Sequence, residues 1–72
     1  MMGSWSVEVK GVRPYTIHGD LYYELAVVRL DDLGSGVLSV RVPQHAVSEL
    51  PKPGDKLALT FLMGQVTAAK AI

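Results

Sequence analysis

The chain has 72 residues, seven basic and seven acidic side chains that cancel, 49% apolar residues and no cysteine. That length and composition admit one globular domain and exclude a disordered chain, a disulfide scaffold and a thiolate metal site. Zero net charge also excludes a general positive field, so contact with nucleic acid would require the cations to gather on one face.

A domain this short buries only roughly 60% of its unfolded surface, so with no cross-link available homo-oligomerisation is the expected supplement. The N-terminus lacks the charged-then-apolar pattern of a signal peptide, and no apolar run is long enough to span a bilayer. The expectation is a cytoplasmic protein without membrane contact.

In chain order, the opening Met-Met-Gly-Ser is given no structural role. "SWSVEVKGV" then alternates Trp5, Val7 and Val9 with Ser6, Glu8 and Lys10, the period-two pattern of a half-buried first strand. Gly11 and Pro14 are expected to interrupt it, and "HGD" at 18–20 supplies turn chemistry. "LYYELAVVRL", 21–30, is the second strand. Its parity is ambiguous, since Leu25 and Val27 point one way and Ala26 and Val28 the other, which calls for a bulge or burial on both faces. After the polar turn "DDLGSG", "VLSVRV" sends Leu38, Val40 and Val42 inward and Ser39 and Arg41 outward as the third strand. "PQHAVSEL" begins with proline at a plausible first helical position, with Ala46, Val47 and Leu50 on one side, and reads as one or two helical turns. Beyond the turn "PKPGD", "KLALTFLM" and "QVTAAKAI" are strands four and five, with Leu57, Leu59 and Phe61 inward.

Three strands, a short helical segment and two further strands form the order of a five-stranded OB-like Greek-key barrel, here one all-β domain over residues 1–72. An SH3-like barrel competes less well because it does not normally need the helical segment. Neither fold fixes function.

No residues stand at a spacing diagnostic of catalysis. His18 and His45 lie in different segments, the adjacent Asp31 and Asp32 read as a solvated turn, and a zinc site needs more ligands than the chain provides. The expectation is a non-enzyme with no cofactor and no metal.

The stretch "RPYTIHGDLYYEL", 13–25, holds all three tyrosines. Rings beside positive charge on a barrel face can stack the bases of a single strand while lysine and arginine hold its phosphates. With Val7 and Val9 defining the inside, Lys10, Tyr22, Ser39 and Arg41 point outward, and Arg13 and Tyr15 lie at the rim. The bland reading is that tyrosines are common in strands and fill the ends of small barrels. Tyr23, of opposite parity to Tyr22, belongs to the core, as do Trp5 and Phe61. Glu24 shares the face of Tyr22 and repels phosphate.

"SVEVK" at 6–10, "RPYTIHGDLYY" at 13–23, "GVLSVRV" at 36–42 and "KPGDKLAL" at 52–59 resemble, in that order, segments of the small single-stranded-DNA-binding proteins of filamentous phages, the gene V type. The resemblance implies an OB-like barrel that dimerises and coats single-stranded DNA, with Tyr15 as a DNA-contacting tyrosine and Arg13 at a phosphate-binding position. It also marks a departure: the long hairpin wing that precedes the Pro-Tyr motif in that family is reduced here to Gly11, Val12 and Arg13.

Together these readings point to non-catalytic binding of single-stranded DNA or RNA through Lys10, Arg13, Tyr15, Tyr22 and Arg41. The alternative is a structural or protein-interaction barrel whose exposed strands pair with a partner or a second copy. A small-ligand binder would need a pocket that so small a barrel fills with its own side chains.

Overall fold

The computed structural model describes residues 2–72, apart from the side chains of residues 2 and 33. Its strands are β1 (Met2–Ile17), β2 (Asp20–Arg29), β3 (Val37–Pro43), β4 (Lys56–Leu62) and β5 (Gln65–Ala71). They form one antiparallel sheet in the order β3-β2-β1-β4-β5. The fold is all-β, with the OB strand order, and the expected helical segment is a single 3-10 turn over Gln44–Ala46.

β1 organises the sheet. Fully extended, its 16 residues would reach about 53 Å at 3.3 Å per residue, whereas the longest extent of the molecule is 35 Å. The strand must therefore bend, and the register with β2 shifts between Val9 and Gly11, leaving Lys10 as the extra residue of a bulge. Residues before the bulge pair with β4 and residues from Val7 onward pair with β2. The expected interruption at Gly11 and Pro14 is thus a bulge inside a continuous strand, and Pro14 stays paired with Tyr23. β2 itself alternates without a bulge, with Tyr23, Leu25 and Val27 buried and Ala26 and Val28 half-buried on the other face, so the expected irregularity lies in the first strand and not in the second. Met2, Gly3 and Ser4 also take part, opposite Leu62, Phe61 and Thr60, so this N-terminal stretch has the structural role the sequence reading withheld.

Two hairpins close on two-residue loops. His18 (φ 51°) and Gly19 (φ 86°) join β1 to β2, and Met63 (φ 54°) and Gly64 (φ 82°) join β4 to β5. Positive φ at both central residues is the type I′ geometry that matches strand twist. At "PKPGD" the chain holds itself: Lys52 N–H donates to Asp55 Oδ2 at 2.9 Å and Asp55 N–H to the Lys52 carbonyl at 3.0 Å. Gly54 and Asp55 then exchange hydrogen bonds with Val9 at 2.7 and 2.8 Å, docking this turn beside the bulge.

The core lies on the concave side, where Val7, Val9, Leu25, Val27, Val42 and Leu59 are fully buried and Tyr23, Leu57, Val66 and Ala69 nearly so. Tyr23 is inside, as its parity requires. Trp5 and Phe61 are half-buried and pack against this core at its margin. Ala46 and Val47 also pack on it, but Leu50 is exposed, which departs from the expected common side.

The sheet curls without closing into a barrel, which corrects the sequence expectation. β3 and β5 approach each other across the opening but share no ladder. The isolated bridge to β5, Val47↔Ala69, is made by the connection after the 3-10 turn and not by β3. Pro43, the last residue of β3, has no N–H to donate.

Candidate nucleic-acid interface

The bulge at Lys10 decides what the convex face of β1–β2–β3 presents. Without it, the parity of Val7 and Val9 would carry Arg13 and Tyr15 to the inside. With it, the outward residues fall into cross-strand rows: Gly11, Ala26 and Ser39; Arg13, Glu24 and Arg41; Tyr15, Tyr22 and Pro43. Residues directly opposite on one face are near enough for their side chains to meet.

The Tyr15 and Tyr22 rings meet with centroids 6.0 Å apart and planes inclined by 27°. The guanidinium of Arg41 stands over both rings, 5.8 Å from the Tyr15 centroid and 6.0 Å from that of Tyr22. At these distances the ring quadrupoles attract the cation. Mutual cover leaves both tyrosines half-buried while Arg41 stays exposed. Arg13 reaches Glu24, Nε to Oε1 at 3.6 Å, with side chains 74% and 44% exposed. Among the described residues Arg41 enters no ion pair.

Four of the five residues expected at the site therefore come together: Arg13, Tyr15, Tyr22 and Arg41. Tyr15 is part of the face and not of its rim. Lys10 stands apart at the bulge, where its Nζ lies 2.9 Å from Glu8 Oε2. That contact holds the Glu8 carboxyl below its usual range, first through the hydrogen bond and then through the charge of Lys10.

An open groove of about 780 Å³ runs beside this cluster, between the β2–β3 wall and the β4–β5 hairpin. Tyr22, Glu24, Ser39 and Arg41 line one side, and Phe61, Gln65, Val66 and Thr67 the other. His45 and Pro43 also line it. The sequence reading missed Gln65, Thr67 and His45 as surroundings of the site. The "Met-Gly" turn signals the hairpin that carries Gln65 and Thr67, but not that its flank faces β3.

The described residues contain no group of three or more histidines or acids placed to hold a metal ion. They contain no helix long and apolar enough to cross a membrane. No family model, no curated protein and no solved structure matches the chain.

Proposed function

We propose that the convex β1–β2–β3 face binds single-stranded nucleic acid without catalysis. The observation that carries this reading is the stacked Tyr15–Tyr22 pair with the unpaired Arg41 guanidinium over both rings. Aromatic planes stack bases of any sequence, and each such stack contributes roughly 1 to 3 kcal/mol. Arg41 would meet a phosphate, with Arg13 beside it, whereas Lys10 is paired with Glu8 at the bulge and adds no net charge. The groove beside the rings gives an extended strand a path along the face, and the OB strand order presents its second and third strands to such ligands.

The small cluster sets the scale. Two arginines and one glutamate leave a single net positive charge on the face, so the affinity of one subunit is modest and homo-oligomerisation would multiply it. Assembly of copies along a strand in the cytoplasm, as in the gene V type, belongs to the same reading.

Titration of fluorescently labelled single-stranded oligonucleotides at low and physiological salt tests it. Salt-sensitive binding that Tyr22→Ala weakens while the fold persists is the expected result. Absence of salt-sensitive binding by the wild-type protein would overturn the proposal. The edges of β3 and β5, which share no ladder and of which β5 is bridged at Ala69 by Val47, favour a second reading, addition of a peptide strand. That reading then takes its place.

A further inference from the structure

Glu24 is out of place on a surface that only holds phosphates. It stands between Arg13 and Arg41 in the middle of the cross-strand row, half-buried, and lines the groove beside Tyr22. Its contact with Arg13 is an exposed pair at 3.6 Å, which stabilises a sheet only slightly. A neutral side chain in its position would attract a strand better.

The neighbouring row supplies the reason for a carboxylate. Residues two apart on one face of a strand are about 7 Å apart, so a base stacked on the Tyr15–Tyr22 row carries its edge to the Arg13–Glu24–Arg41 row. A carboxylate only accepts hydrogen bonds and an arginine only donates them. Side by side they complement a base edge on which an amine adjoins an acceptor, as the 4-amine and N3 of cytosine do. Uracil and thymine present a carbonyl oxygen at that position, which the carboxylate repels.

Resting on the strand-binding reading above, we infer that Glu24 reads the edge of the stacked base and gives the face a preference for bases that bear an exocyclic amine. Arg13, already beside Glu24, donates to the adjacent ring nitrogen or carbonyl and leaves the phosphate to Arg41. The tyrosines supply stacking without sequence information, and the Glu24 row supplies the information.

Labelled oligo-deoxycytidine and oligo-deoxyuridine of equal length, compared at low salt and slightly alkaline pH, differ at the pyrimidine edge and not in backbone charge. The wild-type protein should bind the cytidine strand at least roughly fivefold more tightly, the lower end of base discrimination by a side-chain pair. Glu24→Gln, whose amide both donates and accepts, should bring the ratio to within about twofold, chiefly by raising affinity for the uridine strand. Glu24→Ala, checked for fold by circular dichroism, should also level the ratio. Equal binding of the two strands by the wild-type protein would overturn the inference and leave strand binding standing. So would a ratio that survives both substitutions, or an equal rise for both strands, which would make Glu24 a charge screen only. Absence of binding to either strand would overturn both proposals.

Discussion

The molecule builds two aromatic pairs with an arginine against them, and it treats them differently. In one, Trp5 and Phe61 lie 4.7 Å apart at an angle of 55°, with the Arg29 guanidinium 4.6 Å over the Trp5 ring. In the other, Tyr15 and Tyr22 are more nearly parallel and Arg41 sits over both. The first pair packs on the core margin, and Arg29 is held by Asp31 through two hydrogen bonds of 2.9 and 3.1 Å. The second pair stands on the convex face, and its arginine has no carboxylate partner among the described residues. The same side-chain chemistry therefore serves structure where its charge is neutralised and its rings are backed by the core. Where neither holds, the arginine stays exposed, and it is there that strand binding is proposed.

Substitutions that treat the two clusters alike should separate them. The largest effect belongs to the rings that face the core. Tyr23→Ala, next to Tyr22 but buried, should cost roughly 3 to 5 kcal/mol in chemical denaturation. Trp5→Ala should cost somewhat less, about 2 to 3 kcal/mol, because Trp5 is only half-buried. Tyr15→Ala and Tyr22→Ala should leave the midpoint nearly unchanged and weaken strand binding by roughly 1 to 3 kcal/mol. If Tyr22→Ala unfolds the protein as readily as Trp5→Ala, the second cluster is structural too.

The two arginines should differ next. Arg41→Gln should reduce the slope of log affinity against log salt by about one unit, since one phosphate contact is lost. Arg29→Gln should leave that slope unchanged. Equal slopes for both variants would place the phosphates elsewhere.

The smallest effect concerns pH. The Arg29 hydrogen bond, chiefly, holds the Asp31 carboxyl below its ordinary 3.8. A carboxyl lowered on folding contributes stability above its unfolded value and loses it as pH falls through the folded one. Asp31→Asn should therefore lower the thermal midpoint slightly at neutral pH, with the gap closing as the solution is acidified below that ordinary value. The exposure of the pair keeps the effect small. A gap that stays constant into strong acid would show that the pair contributes no charge-dependent stability.

Local chemistry was legible where it acts over a few residues. Alternation in "VLSVRV" and "KLALTFLM" gave strands and their buried faces, because one side of each must meet the core, although Met63 belongs to the turn and not to β4. The "His-Gly" step gave a turn, and opposite parity divided Tyr22 from Tyr23. The candidate site was legible only as residue types: Arg13, Tyr15, Tyr22 and Arg41 stand together, and Lys10 does not join them.

What the sequence left open depends on contacts between distant segments. A bulge in β1 reverses the parity of everything after it, and its position is set by β2 and the 54–55 turn, which bond to β1 around Val9. That one extra residue moved Tyr15 from an expected rim onto the face and placed Glu24 between two arginines. Closure likewise could not be read from strand order. It depends on whether β3 and β5, separated in the chain by the 3-10 turn and β4, complete a ladder. The sequence alone determined an all-β fold, the order of its strands along the chain and its two populations of rings. The tertiary structure decided which rings share a surface and that the sheet stays open, because ladder register and edge pairing are collective choices of several strands and not properties of any one.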